Sequence, residues 1–515
     1  MDYPPESEDG NVEYKLTLGG QDLEKLGGQL KRRLLEGGGE AIYLIGVSND
    51  GRPVGLPDDE LVKALGVLRE VAKRVGASVY ILRVSEGIRG KVAEVLLRVA
   101  AREEPPPTVT VVAMGNVDAG KSTLIGVLTT GRLDDGKGSA RAYASRYKHE
   151  VLTGRTSAVS MRLLGFSGDV VVNHKLVDPL DEAEVYRRSD KLVLFVDVGG
   201  HERYLRTALR GLLSSEPDYV MLVVAANAGV QKMTKEHLGI ATAIGVPVFV
   251  AITRVDIAPQ EVFQRTVDDV MRVLKTPGVS KLPYVVRDVG DVILAARAMP
   301  SGRVAPIFFT SSVTGHGLDL LLKFLAVLPR RRSWDQAGEF LMYVSDIYMV
   351  KGVGVVVGGL VERGVVKAGD RLWLGPLGDG AWVQTSVKSI HINRTQVESA
   401  RAGNFVTIAL DRVEKVEKGM VLSKQPLRAT RNVVADVLVL RHPTVVRPGF
   451  SGVFHYKAVR TGAYVREIDR GGLMVGDSGV AKLELSRPWY IEGGVFILRN
   501  GPTRIFGRIL RQEDA

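Results

Sequence analysis

A glycine-rich stretch at residues 115–122 has the residue types and spacing that bind a chain of phosphates. It has the sequence GNVDAGKS and fits the pattern G-x-x-x-x-G-K-[ST] after a predicted strand and before a helical stretch. In such a loop the glycines let backbone N–H groups surround a phosphate, Lys121 reaches the β- and γ-phosphates, and the Ser122 hydroxyl binds Mg²⁺. The predicted phosphate-binding residues are Gly115, Asn116, Val117, Asp118, Ala119, Gly120, Lys121, Ser122 and Thr123.

A carboxylate follows the apolar run at 191–196, in a position suited to a metal ion. Asp197 comes directly after this run, and strands of α/β sheets bind ligands at their carboxyl ends. A carboxylate there can hold Mg²⁺ through water, and the amide of Gly200 can meet the γ-phosphate. The sequence therefore predicts that Ser122 and Asp197 share a magnesium ion.

Two more apolar runs end in residues suited to a purine base. Thr253, Arg254 and Asp256 follow the run at 246–252. The carboxylate of Asp256 can accept two hydrogen bonds from N1 and N2 of guanine, a donor pair that adenine lacks. The run at 307–310 is followed by Ser311, Ser312 and Val313. A chance match explains one glycine-rich motif in a chain with 58 glycines, but not four sites in this order.

The elements that must position these residues fall into four parts. Residues 105–330 alternate near-continuous apolar runs with helical patterns, which is typical of a mostly parallel sheet buried on both faces. A small α+β domain is predicted at 1–104, with a hairpin turn at 49–51 and a proline-rich end. The parts at 336–425 and 426–515 show short strands between turns, which predicts two β-barrels or sandwiches.

Composition excludes several classes of protein. The chain has 515 residues, 45% hydrophobic and 25% charged, and no cysteine, which excludes disulfides, zinc knuckles, iron–sulfur clusters and cysteine nucleophiles. No apolar run approaches the length of a membrane helix, and residues 1–10 have no apolar signal core, so we expect a cytoplasmic protein without a membrane partner. Nine Asn and ten Gln are few for this length and hint at a thermophile.

The charge balance favours a polyanionic partner. There are 69 Lys and Arg against 58 Asp and Glu, a formal net charge of +11 at pH 7. Such a surplus is typical of proteins that bind nucleic acid, although many basic proteins bind nothing anionic.

Together these motifs resemble the translational GTPases, the elongation factor Tu and elongation factor 1-alpha superfamily, over everything after residue 107. Residues 351–364, KGVGVVVGGLVERG, resemble the signature of the first barrel of that superfamily, and 495–501, VFILRNG, its closing strand. More narrowly the chain resembles the GTP-binding protein 1 and 2 branch, in an archaeal type. The matching stretches are GRTS at 154–157, GHERYL at 200–205, NAG at 227–229 and MTKEH at 233–237, and residues 37–47 of the N-terminal domain are similar as well.

The resemblance implies roles that spacing alone does not give. Thr156 lies where the switch I threonine of the family closes on Mg²⁺ and the γ-phosphate, and His201 lies where its switch II histidine orients the attacking water. The implied catalytic residues are His201, Lys121 and Thr156, and the implied metal ligands are Ser122, Thr156 and Asp197. The implied cofactors are GTP or GDP and Mg²⁺, the implied partners aminoacyl-tRNA and the large ribosomal subunit.

The chain departs from the family at three positions. Thr253 replaces the usual Asn and Arg254 the usual Lys, so we expect weaker affinity for the base with the preference for guanine retained by Asp256. Arg155, next to Thr156, replaces an apolar residue. It either approaches the γ-phosphate as an arginine finger or faces solvent or ribosomal RNA.

We therefore expect a fold with an α/β P-loop G domain, two all-β barrels and a preceding α+β domain. The expected function is a GTP-hydrolysing translation factor whose GTP form binds aminoacyl-tRNA, the ribosome or both, with hydrolysis triggered by the ribosome. The alternative is a GTP-regulated ribosome- or RNA-associated protein, acting in rescue, quality control or RNA turnover, that delivers no tRNA. An initiation-type tRNA carrier and a metabolic GTPase are further rivals.

Overall fold

The computed structural model describes residues 3, 5–20, 22–99, 105–145, 159–201, 205–413 and 415–513. Along these residues a four-stranded sheet with two helices is followed by an eight-stranded sheet with helices and then by two closed barrels. This architecture confirms the predicted fold class, a P-loop α/β domain with two all-β barrels and a small α+β unit before it.

The N-terminal unit is a mixed sheet of order β1-β2-β4-β3 covered by two helices. Its first helix begins after Asp22, whose side chain accepts a hydrogen bond from the amide of Glu24, and buries Leu26, Leu30 and Leu34 at helical spacing. The elements are β1 (Val12–Lys15), α1 (Leu23–Glu36), β2 (Glu40–Ile45), α2 (Asp58–Arg74), β3 (Ala77–Glu86) and β4 (Lys91–Val99).

The turn predicted at residues 49–51 forms, with the Gly51 amide donating to the Ser48 carbonyl at 2.8 Å, but the hairpin around it does not extend beyond one antiparallel bridge. Strand β2 pairs with β1 in parallel and with β4 antiparallel, so both of its edges are occupied before the chain reaches the turn. After the turn the chain makes one bridge, between Val47 and Pro53, and then enters α2 at Asp58. A local hairpin signal was outweighed here by long-range strand pairing.

The central domain is a sheet of order β11-β12-β10-β9-β5-β8-β6-β7, parallel except for β6 and β7. Its β8, β9 and β10 are buried at every residue, as the apolar runs predicted. The elements are β5 (Thr108–Gly115), α3 (Lys121–Thr130), α4 (Arg141–Ala144), β6 (Ser160–Ser167), β7 (Val170–Val171), α5 (Glu182–Arg188), β8 (Lys191–Asp197), α6 (Leu205–Ser215), β9 (Tyr219–Ala225), α7 (Lys232–Ala243), β10 (Val248–Thr253), α8 (Gln260–Lys275), β11 (Leu282–Val285), α9 (Val289–Ala298), β12 (Val304–Phe309) and α10 (Leu318–Val327), with 3₁₀ turns at Asn173–Lys175 and Met299–Ser301.

The first barrel closes because β13 pairs with both β22 and β15. The six strands that form it are ordered β13-β22-β17-β18-β21-β15, and full closure distinguishes it from a sandwich. Its strands are β13 (Leu341–Tyr343), β14 (Asp346–Val350), β15 (Gly354–Arg363), β16 (Val365–Lys367), β17 (Arg371–Gly375), β18 (Val383–Ile392), β19 (Thr395–Val397), β20 (Ser399–Arg401), β21 (Phe405–Leu410) and β22 (Val421–Ser423).

The second barrel is a closed ring of order β23-β26-β25-β24-β27-β28. Its strands are β23 (Thr430–Arg441), β24 (Ser451–Tyr456), β25 (Val459–Ile468), β26 (Ser478–Trp489), β27 (Gly494–Asn500) and β28 (Thr503–Glu513). The boundaries predicted for the four domains, 1–104, 105–330, 336–425 and 426–515, remain predictions. Within the described part of the chain, no helix is long and apolar enough to cross a bilayer.

A buried ion network joins the N-terminal unit to the central domain. The guanidinium of Arg98 lies 2.8 Å from a carboxylate oxygen of Glu40 and 2.5 Å from one of Asp190. It also donates to the carbonyl of Ala326 at 2.8 Å. The ammonium of Lys191, at the amino end of β8, lies 3.1 Å from the same oxygen of Glu40. Because Arg98 and Lys191 are fully buried, each depends on these partners for compensation of its charge.

A second ion cluster joins the two barrels to the central domain. Lys457, of the second barrel, pairs with Glu362 of the first and lies 3.5 Å from Glu216, the residue that follows α6. Glu216 also pairs with Arg332 of the connecting segment at 2.6 Å. Three parts of the chain therefore meet at the carboxyl end of α6.

We expect Glu40→Ala to destabilise the protein by about 3–5 kcal/mol, because two buried cations lose their shared carboxylate. The matched control is Glu70→Ala, which breaks the exposed pair of Glu70 with Arg74 on α2 and should cost less than about 1 kcal/mol. Denaturant unfolding of both variants measures the two losses. Equal losses would contradict the role assigned to the buried network.

Candidate functional site

The glycine-rich loop occupies the carboxyl end of β5, near the middle of the sheet. Gly115 has φ +145°, and a Cβ there would lie 2.2 Å from the carbonyl oxygen of Val223, so only glycine fits between β5 and β9. Asp118 has φ +60°, and Gly120, with φ +85°, leads into α3. The loop thus ends at the N-terminus of a helix, whose first amides have no partner within the helix and suit an anion.

Lys121 folds back over this loop. Its ammonium donates to the carbonyl of Asn116 at 2.7 Å and to that of Gly115 at 3.2 Å, and burial lowers its pKa. A Cβ on Gly200 would lie 2.4 Å from this ammonium and 2.6 Å from the Asn116 carbonyl group. The backbone after β8 therefore approaches the loop so closely that a side chain at position 200 would displace it.

Ser122 and Asp197 bring two oxygen atoms together at the same edge of the sheet. The Ser122 hydroxyl donates to a carboxylate oxygen of Asp197 at 2.5 Å, and both residues are buried. Asp197 ends β8 in register with Ala113 of β5. Hydroxyl and carboxylate oxygens are the donors that Mg²⁺ prefers, and a nucleotide and water supply the remaining ligands in such sites, so this pair fits the ion.

The described residues offer no rival metal site of another type. Among them, no group of three or more His, Cys, Asp or Glu side chains is placed to hold a metal.

A cavity of about 200 Å³ lies beside the loop, where β10 and β12 end. Arg254, with φ +59°, and Asp256 are exposed at this cavity. The residues that line the cavity are Gly120, Thr123, Asp134, Gly136, Lys137, Gly138, Arg141, Thr253, Arg254, Asp256, Ile257, Ser312 and Val313. The structure thus brings together the base-site residues predicted from two strand ends.

Thr253 has a contact that sequence reasoning did not foresee. Its hydroxyl donates to the carbonyl of Ala119 in the P-loop at 2.8 Å, and the residue is only 2% exposed. The position usually taken by Asn therefore ties the end of β10 to the phosphate loop.

The loop after β12 is shaped by Ser311. Its hydroxyl accepts hydrogen bonds from the amides of Val313 at 3.2 Å and Thr314 at 3.0 Å, and the residue is fully buried. This turn places Ser312 and Val313 at the cavity. Ser311 itself does not line the cavity but holds the turn through these two hydrogen bonds.

Residues 134–141 form one wall of this cavity, which the sequence analysis did not predict. The Asp134 amide donates to the carbonyl of Ser312 at 2.8 Å. The Asp134 carboxylate accepts from the amides of Gly136, Gly138 and Ala140 at 2.9–3.0 Å. The signal that could have revealed this wall is the Asp-Asp-Gly sequence at 134–136, which is typical of an Asp-capped turn.

His237 is a second residue whose role the sequence did not reveal. Its Nδ1 accepts a hydrogen bond from the Gly115 amide at 2.9 Å, and the ring is fully buried on α7. Burial, and then the nearby charge of Lys121, lower the pKa of His237 to about 3. The ring is therefore neutral at physiological pH and supports the first glycine of the loop.

Of the two predicted switch residues, His201 and Thr156, the structure describes only His201. His201 is half-buried directly after Gly200. Thr156 and Arg155 lie outside the described residues.

Comparison with known proteins assigns the family. A model of the elongation factor Tu GTP binding domain matches residues 106–330, and one of elongation factor Tu domain 2 matches 354–423. GTP-binding protein 2 of Mus musculus is 39% identical over 98% of this chain and 87% of its own length. The chain belongs to the elongation factor Tu family of translational GTPases. It is accordingly a GTPase, and GTP and GDP are its nucleotides.

A further relative and a solved structure are also similar to this chain. GTP-binding protein 1 of Xenopus laevis is 38% identical over 94% of this chain and 75% of its own length. The translation elongation factor SelB of Methanococcus maripaludis, in complex with the GTP analogue GppNHp, has the same fold. Its TM-score is 0.58 at 19% identity, with 80% of each chain covered.

We expect His237→Phe to speed the dissociation of a fluorescent GDP analogue by about tenfold, because the Gly115 amide loses its buried acceptor. His237→Asn is the matched control, since its amide oxygen can take the place of Nδ1. Stopped-flow dissociation rates compare the two variants with the parent. The same rate for Phe and Asn variants would rule out the positioning role of His237.

Proposed function

We propose that this GTPase is a translation factor whose GTP form binds aminoacyl-tRNA, the ribosome or both, and that the ribosome triggers hydrolysis. The observation that carries the proposal is the position of α6. This helix begins four residues after His201 and is followed directly by Glu216, which pairs with Lys457 of the second barrel. A change at the γ-phosphate that moves Gly200 and His201 would thus reach both barrels through one helix.

At the phosphate end of the site, different residues would bind the phosphates and the magnesium ion. We assign the β- and γ-phosphates to the amides of Gly115–Thr123 and to Lys121, and the γ-phosphate also to the Gly200 amide. Ser122, Asp197 and Thr156 would hold Mg²⁺. The ion, when bound, neutralises charge that develops on the phosphates during hydrolysis.

The reaction needs positioning more than proton transfer by the protein. A water oxygen bonds to the γ-phosphorus while the bond from that phosphorus to the β–γ bridging oxygen breaks, giving GDP and phosphate, and the water proton ends on phosphate. His201 would orient this water, since it adjoins the Gly200 amide at the γ-phosphate. The buried, positively charged Lys121 would stabilise charge on the departing GDP.

The residues at the 200 Å³ cavity support the proposal that the base of the nucleotide is guanine. The Asp256 carboxylate, at the mouth of the 200 Å³ cavity, would accept from N1 and N2 of the base. The planar guanidinium of Arg254 would lie along the ring, and the loop from Ser311 to Val313 would close the other side.

We expect Asp256→Asn to lower affinity for GTP by about a hundredfold or more, because two hydrogen bonds to a charged carboxylate are lost. The new amide can accept from N1 of xanthine and donate to its 2-oxo group, so preference should turn towards XTP. Competition against a fluorescent nucleotide measures both affinities. The matched control is Asp319→Asn, an exposed residue on α10, and an Asp256→Asn variant that still prefers GTP would exclude this base contact.

The tRNA part of the proposal is tested by spontaneous deacylation of aminoacyl-tRNA. We expect protection with the protein in complex with a GTP analogue and none with GDP, because a tRNA carrier covers the ester only when its barrels are docked. Absence of protection in both states would contradict tRNA delivery. It would favour the alternative, a GTP-regulated ribosome- or RNA-associated protein.

A further inference from the structure

A cavity of about 600 Å³ lies between the N-terminal unit and the central domain, away from the nucleotide site. Leu96 and Ile42 line it from the N-terminal sheet, and Leu282, Leu294 and Val327 line it from the central domain. Leu282 begins β11, so the cavity lies at the amino ends of the parallel strands, whereas the predicted nucleotide residues follow their carboxyl ends. The two cavities share no lining residue.

The acidic side chains at this cavity are compensated within the protein. Glu40 is shared by Arg98 and Lys191 in the buried network. Glu36 accepts from the amide of Gly10 at 2.8 Å and lies 3.6 Å from the guanidinium of Arg32. Neither carboxylate is left to attract a cation into the cavity.

The two basic side chains at the cavity, Arg297 and Arg330, make no ion pair among the described residues. Arg330 has no ion pair or hydrogen bond among the described residues, and its guanidinium lies against the backbone of Gly38. Arg297 donates from Nη2 to the Tyr14 hydroxyl at 3.2 Å, while its Nη1 is buried without a hydrogen-bond partner. Arg330 thus offers an anion the donors of an unpaired guanidinium, and Arg297 adds a second positive charge to the lining of the same cavity.

We propose that this cavity binds a small amphiphile, a molecule with an apolar body and one anionic head group. The aliphatic walls take the apolar body, and Arg297 and Arg330 take a carboxylate or a phosphate monoester through charge-assisted hydrogen bonds. The volume is that of small-molecule sites, which are concave and mostly apolar with a few polar groups. Because the walls come from both units, a ligand would bind across their interface.

The test uses the full-length chain and the fluorescent anion 8-anilinonaphthalene-1-sulfonate as probe. Decanoate and decyl phosphate should displace the probe, whereas decyltrimethylammonium, with the same chain and a cationic head, should not. The anion that displaces the probe at the lower concentration identifies the head group, a carboxylate for decanoate or a phosphate monoester for decyl phosphate. No binding of the probe, or equal displacement by the cationic and anionic amphiphiles, overturns the proposal.

Substitutions at the cavity test whether the anions bind there. Arg297→Met and Arg330→Met should each weaken the anions by about tenfold, and Ala298→Phe should abolish binding by filling the space. Arg69→Met, an exposed arginine on α2, is the matched control and should bind as the parent does. GDP binding, measured in parallel, verifies that each variant is folded. Anion binding that is unchanged in the folded Ala298→Phe variant overturns the assignment.

Discussion

The register between β5 and β8 is the constraint on which the site depends. It sets Asp197 opposite Ala113 and so brings a carboxylate within 2.5 Å of the Ser122 hydroxyl, which lies beyond the end of β5. A shift of one residue would turn Asp197 to the other face of the sheet and separate the two oxygens. The hydrogen bonds of Thr253 to Ala119 and of Gly115 to His237 tie the same loop to β10 and α7. The phosphate loop is thus held from three sides by neighbouring elements.

Two ion clusters attach the additional domains to the central domain at different places. The network of Arg98, Glu40 and Lys191 joins the N-terminal unit at the amino ends of the strands, where it leaves the nucleotide edge of the sheet open. The cluster of Lys457 and Glu216 lies at the carboxyl end of α6, beyond the segment that contains His201. A protein built in this way can change the docking of its barrels while its N-terminal unit stays attached to the sheet.

Much of the fold could be predicted from the sequence, because fully buried parallel strands leave long apolar runs. The apolar run at 191–196, for example, lies within β8, which ends one residue later at Asp197. The glycine-rich loop was found for a similar reason, since Gly115 and Gly120 have backbone conformations or contacts that exclude side chains. Both features depend on consecutive residues, so the sequence shows them directly.

Contacts between distant residues could not be predicted in this way. The acceptor for the Gly115 amide is His237, 122 positions away, and the partner of Arg98 in the central domain is Asp190. The hairpin expected at 49–51 does not extend for the same reason, because pairing of β2 with β1 and β4 settled that region. Side-chain partners across domains depend on tertiary packing that no short motif records.

We expect the edge of the sheet formed by β5, β8, β10 and β12 to select guanine nucleotides over adenine nucleotides. Competition of unlabelled GTP, GDP and ATP against a fluorescent GDP analogue, in the presence of Mg²⁺, tests it most directly. GTP and GDP should displace the analogue at concentrations at least about a hundredfold below those at which ATP does, since adenine lacks the donor pair that Asp256 accepts. Equal displacement by ATP, or failure of the analogue to bind, would contradict it.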